Sequence, residues 1–205
     1  PGRSYSRGVA AAAAAAEAGN GGGAVLTAAH RHDMEERGYT VISDAADPRD
    51  LEAVVADIWA RAQGMQRDDP SSWHPSLSPE LPAAGTALPD NRFGFQAIFH
   101  TPAMWRTRQS PRIHAAFSEL WGTDKLWISL DRTMLKTPMQ PGGTQSDLLH
   151  WDFDVRVEKR RFRLYQATLF LEDCAADQGT FQCVPGFHRK YEQWRSSVSA
   201  DELEA

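Results

Sequence analysis

The chain has no long apolar run. None of its hydrophobic stretches approaches the roughly 20 residues that a membrane-spanning helix needs, so no membrane span is expected. Cysteine is scarce, with Cys174 and Cys183 the only two. They flank a predicted turn, but nothing in this usage demands an oxidising compartment. Both are read as buried free thiols in an intracellular protein. A strong charge of one sign is also lacking. Lys and Arg number 22 against 27 Asp and Glu, for a formal net charge of −5. That balance argues against nucleic acid or an anionic membrane surface as the main partner. There is no internal repeat, no Cys-x-x-Cys, no phosphate-binding glycine motif and no nucleophile elbow.

The first 29 residues carry little that can build a core. Arg3, Arg7, the Ala10 to Ala16 run and Gly21-Gly22-Gly23 form a low-complexity segment, residues 1–29, expected to be disordered. Its Arg, Ser and Ala content, with Glu17 as the single acid, is similar to the end of an organelle transit peptide; a plain flexible tail is the simpler reading. Residues 30–205 are expected to form one domain of ordinary size.

Within that domain, His30 to Arg37 reads as a short helix closed by Gly38, and Tyr39 to Ile42 as a short strand. Asp47-Pro48 is a helix start, with Asp as N-cap and Pro at the first position. Leu51, Val54, Val55, Ile58 and Trp59 make one apolar face, which Gly64 should end. Gln66 to Asp90 holds Pro70, Pro75, Pro79, Pro82 and Pro89 and is expected to be an irregular loop. Trp73-His74 within it are candidates to touch a substrate, with surface decoration the simpler reading. Phe93 to His100 reads as a strand; Arg92 before it is a possible anion contact, by default a solvated Arg. Thr101-Pro102 and Ser110-Pro111 start two short helices; Ile113, Phe117, Leu120 and Trp121 give the second an apolar face, and Gly122 closes it. His114 on that helix reads as a satisfied surface residue. Leu126 to Lys136 reads as a strand with Leu126, Ile128, Leu130, Arg132 and Met134 on one face. After His188, Tyr191 to Ser197 reads as a possible helix.

The chemistry concentrates between Leu148 and His188. The stretch opens with Leu149-His150-Trp151-Asp152 and closes with Val184-Pro185-Gly186-Phe187-His188, with an apolar strand, Leu164 to Leu171, between. Residues two apart on a strand project from one face. His150 and Asp152 can then aim an imidazole and a carboxylate at one point, while Trp151 points away. One more His would complete a 2-His-1-carboxylate triad, the donor set of non-haem Fe(II) oxygenases. The simpler reading of His-x-Asp is a carboxylate that orients a surface His. Arg156 to Arg163 holds five basic residues in eight, read as a solvated loop, with an anionic-substrate patch as the alternative. Gln166 and Thr168 share one face of the apolar strand and would need partners if buried.

The His150-x-Asp152 pair, the strand ending in Leu169-Phe170-Leu171-Glu172-Asp173, then Asp177-Gln178-Gly179 and Val184-Pro185-Gly186-Phe187-His188 together resemble the phytanoyl-CoA dioxygenase family. The resemblance runs from about Gly38 onward and is densest from Leu126 to Trp194. Phe187 departs from it, standing where the family has Ser in a Pro-Gly-Ser-His turn. The resemblance implies a mainly β fold with flanking N-terminal helices, a double-stranded β-helix or jelly roll. It also implies an Fe(II)- and 2-oxoglutarate-dependent dioxygenase that uses O2 to hydroxylate a small organic or lipid-like substrate. His150 and Asp152 would be metal ligands. Met134, which matches a pocket position in the family, and Gln166 are candidates for the 2-oxoglutarate pocket; Met134 is equally readable as core. Related halogenases have a small residue where this chain has Asp152, so the carboxylate favours hydroxylation.

In the family, the second His and the Arg that binds the far carboxylate of 2-oxoglutarate follow the Pro-Gly-Ser-His turn. Neither is identified here before Ala205, so the jelly roll is expected to be incomplete at its C-terminus. The alternatives are a non-catalytic jelly-roll fragment and a cupin-like metal-binding module. The sequence does not specify the substrate or the oligomeric state.

Overall fold

A computed structural model describes residues 24–62, 65–73, 95–96, 98–136, 149–156, 164–175, 181–199 and 202–203. In chain order the elements are α1 (Ala28–Glu36), α2 (Pro48–Trp59), a 3-10 turn (Pro70–Ser72), β1 (Phe95–Gln96), α3 (Pro102–Arg108), α4 (Pro111–Trp121), β2 (Thr133–Met134), a 3-10 turn (Phe187–Arg189) and α5 (Tyr191–Ser197). Contacts divide the chain into two units. One comprises Pro1–Ser43, Leu148–Leu169 and Phe181–Ala205; the other comprises Asp44–Asp147 and Phe170–Thr180. Among the described residues, no helix is long and apolar enough to cross a membrane.

The second unit is built on helix packing. Asp47 starts α2: its carboxylate accepts from the Arg49 backbone N–H at 2.9 Å, and Pro48, which has no N–H, needs no acceptor at the first position. The helix ends at Trp59, short of Gly64, which lies outside the described residues. Its inner face buries Val54, Val55 and Ile58. Val54 and Ile58 form one core with Ile98 and with Ala103 and Met104 of α3, and Leu135 and Leu171 pack against it. Thr101 caps α3 through its hydroxyl, which accepts from Met104 N–H at 3.2 Å. Arg106 of α3 reaches Asp50 of α2 at 2.6 Å across the same packing. In α4, only Ala116 of the helix is fully buried, and Trp121 is exposed. Gly122 follows with φ 68°, the left-handed position that ends a helix without a Cβ clash. His114 is satisfied as expected, its Nε2 3.0 Å from the Asp124 carbonyl.

Strand pairing among the described residues is confined to β1 and β2, antiparallel, with Phe95 opposite Met134 and Gln96 opposite Thr133. The face that Ile128, Leu130 and Met134 share is exposed, so Met134 is not core. Thr133 is buried while Met134 is about half exposed, and Leu135 packs on the core. A pairing that turns Thr133 inward necessarily turns its neighbour outward. The loop that follows α2 opens with more order than its prolines suggest. Asp69 accepts from Ser71 N–H at 3.0 Å, and the Trp73 indole donates to the Gln66 carbonyl at 2.8 Å and packs on Trp59.

The first unit is held by aromatic rings and by α1. Thr27 and His30 form a reciprocal cap, each side chain 3.2 Å from the other's backbone N–H, so α1 begins two residues before the expected start. Gly38 terminates α1 with φ 83°.

Candidate metal centre

His150 Nε2 lies 3.1 Å from Asp152 Oδ1, and both side chains reach solvent. The residues between and after them turn the other way. Trp151 packs against Phe153, Phe187, Tyr191 and Trp194, with ring centroids 5.2 to 5.5 Å apart. Phe153 also meets Tyr191 edge-on at 5.6 Å. The alternation therefore places two donor groups on one side of the 150–153 segment and two rings on the other.

The next carboxylate is committed elsewhere. Asp154 accepts from two guanidinium nitrogens of Arg156, Nε at 2.8 Å and Nη2 at 2.9 Å, and from the Arg156 backbone N–H at 2.9 Å. These bonds hold the Asp154 carboxyl down at about 2, well below its ordinary value, so it stays ionised and occupied by Arg156. Asp152 is thus the carboxylate left facing His150. Arg195 of α5 fixes the end of this segment, donating to the Val155 carbonyl at 2.6 Å and the Arg156 carbonyl at 3.3 Å.

The donor set suits a mid-softness divalent ion. Two ligands each about 2.1 Å from one ion, at a right angle, stand about 3 Å apart, which is the separation seen here. A nitrogen that hydrogen-bonds a carboxylate carries the proton, so a metal ion at Nε2 would have to displace it. No third His, Cys, Asp or Glu joins the pair among the described residues. His188 is engaged separately: its Nε2 donates to the Glu35 carbonyl at 2.9 Å.

The other sequence-derived candidates lie elsewhere. Met134 sits on β2 in the second unit. Gln166 and Thr168 are exposed on the 164–169 segment of the first unit, so their polar groups face water and require no buried partner. The thiols were expected to be buried; Cys174 and Cys183 are instead free and exposed, because both stand on irregular segments, not on a packed strand. His74, Arg92, Asp177 to Gly179 and the basic run after Arg156 lie outside the described residues. The aromatic cluster behind the pair was not anticipated. Its signal is present: Trp151 and Phe153 share a strand-like face, and Tyr191 and Trp194 share a helical one.

The chain matches phytanoyl-CoA dioxygenase (PhyH) over residues 34–202. It belongs to the phytanoyl-CoA dioxygenase family, whose members are typically Fe(II)- and 2-oxoglutarate-dependent oxygenases. Neither curated proteins nor solved structures provide a match.

Proposed function

We propose that this chain is an Fe(II)- and 2-oxoglutarate-dependent dioxygenase that hydroxylates a small organic or lipid-like substrate, on a jelly-roll scaffold. The observation that carries the reading is the 3.1 Å approach of His150 Nε2 and Asp152 Oδ1, inside the segment that matches the family. His150 and Asp152 would hold the iron, which with 2-oxoglutarate and O2 would supply the C–H oxidation. The residues do the rest. His150 gives up its Nε2 proton and presents the lone pair, and Asp152 supplies the anionic oxygen. Arg156 keeps Asp154 from competing as a ligand. Trp151 and Phe153 anchor the segment so that both donors stay on one side.

The test is Co(II) titration of this chain, with succinate formation from 2-oxoglutarate in Fe(II), ascorbate and O2 measured on a form that also supplies a second His and the Arg for 2-oxoglutarate. His150→Ala and Asp152→Ala should each abolish turnover and weaken Co(II) binding at least tenfold. Co(II) binding that depends on both residues, without succinate formation, would favour a cupin-like or non-catalytic module instead.

A further inference from the structure

We propose that Phe187 and His188 are positioning residues that set the geometry of the His150–Asp152 pair from the far side of Trp151. This inference rests on the metal reading above for its Co(II) arm but not for its metal-free arm. The turn that carries Phe187 is docked on the C-terminus of α1 by three bonds. Gly186 N–H donates to the Arg37 carbonyl at 2.8 Å, His188 Nε2 donates to the Glu35 carbonyl at 2.9 Å, and Arg189 pairs with Glu36 at 2.6 Å. The last-turn carbonyls of a helix lack intrahelical donors, and this turn supplies two.

The docking requires Gly38. A Cβ there would stand 2.5 Å from His188 Nδ1, and the residue holds φ 83°, where L side chains are strained. Gly38 thus makes room for the imidazole. His188 in turn fixes the backbone one residue after Phe187, whose ring meets Trp151 at 5.5 Å and Trp194 at 5.7 Å. Trp151 is covalently between the two donors. Moving its ring moves the backbone on both sides, so the angle at which His150 and Asp152 face each other depends on what Trp151 packs against. Phe187 stands where the resemblance expects Ser, and a Ser hydroxyl makes no ring contact. In this chain the motif position has become a packing contact to the residue between the donors.

Two readouts separate positioning from bulk stability. In metal-free protein, the imidazole 15N shifts of His150 report its Nε2 hydrogen bond to Asp152. In Co(II) titration, the dissociation constant reports the assembled pair. Groups that orient metal ligands typically change affinity ten- to a hundredfold when removed, so Phe187→Ala and Gly38→Ala should each weaken Co(II) binding roughly tenfold and shift the His150 resonance. Phe187→Leu, which keeps an apolar contact, should restore most of both; Phe187→Ser should not. His188→Gln, which retains an N–H donor, should stay closer to the parent than His188→Ala. Phe187→Ala that lowers the unfolding temperature but leaves both readouts unchanged would overturn the proposal. So would Phe187→Leu behaving like Phe187→Ala while remaining folded by circular dichroism. If His150→Ala leaves Co(II) affinity unchanged, the metal reading fails; an unshifted His150 resonance in Phe187→Ala would then still refute positioning, and a shifted one would support it.

Discussion

The two units bury their apolar groups by different means. In the second unit, the core is aliphatic and lies between α2 and α3, with Val54, Ile58, Ala103 and Met104 each 5% exposed or less. In the first, the packing is a set of aromatic rings around Trp151, which itself remains 41% exposed. Aliphatic burial is close to isotropic and scales with area. Ring packing has preferred edge and offset geometries, and so it fixes orientation at a modest cost in buried area. The unit that carries the donor pair uses the orienting kind. The aliphatic core and the ring cluster thus lie in separate units of one chain.

The largest expected loss of stability lies in the aliphatic core. Ile58→Ala removes a fully buried side chain from the α2–α3 core and should cost about 3 kcal/mol in denaturant unfolding, with the metal-free His150 resonance unchanged. Trp151→Ala should cost less, about 2 kcal/mol, because its ring is only partly buried, yet it should shift that resonance and weaken Co(II) binding. A larger loss of stability from Trp151→Ala than from Ile58→Ala would reverse the assignment of roles. Thr101→Ala deletes the buried cap of α3 and should cost about 1 kcal/mol, read in the same unfolding experiment. Arg106→Gln breaks the pair with Asp50, whose partners are 55% and 22% exposed; about 0.5 kcal/mol is expected, and it should fade in high salt.

The smallest effect is a titration. The hydrogen bonds from Arg49 hold the Asp47 carboxyl below its ordinary value. Its stabilising contribution is complete above the unfolded carboxylate range and is lost as pH falls through the depressed folded value. Arg49→Gln should move the Asp47 midpoint upward in a 13C-detected NMR titration, leaving the first unit untouched. An unmoved midpoint would show that the backbone N–H alone holds the carboxylate.

The helices were legible because their boundaries are written in local chemistry. Asp47-Pro48 and Thr101-Pro102 each supply a cap oxygen and a residue that, lacking an N–H, needs no acceptor, and the structure uses both. Ser110-Pro111 marked a true start for a different reason, since the Ser110 hydroxyl donates to the Ala45 carbonyl and does not cap α4. The inward side of the 133–135 segment was not legible, because Thr133 and Met134 exchange faces with a one-residue change of pairing. At the donor pair, spacing alone predicted the meeting of His150 and Asp152. It did not reveal the packing behind them, because Phe187, Tyr191 and Trp194 come from a distant segment that reads as polar. Nor did it show that Asp154 is withdrawn by its own neighbour Arg156.

The bonds that moor the Pro-Gly-Phe-His turn and the 152–156 segment share a property with a consequence for acid conditions. A guanidinium keeps its protons throughout the range in which proteins are handled, so the grip of Arg195 on the Val155 and Arg156 carbonyls is indifferent to acidification. The bond from His188 to Glu35 uses an Nε2 proton that is present in one neutral tautomer and in the imidazolium alike. The donor pair behaves in the opposite sense, since His150 must shed its Nε2 proton to ligate. A metal held by the pair would therefore compete with a proton, whereas the bonds that moor the segment require none to leave.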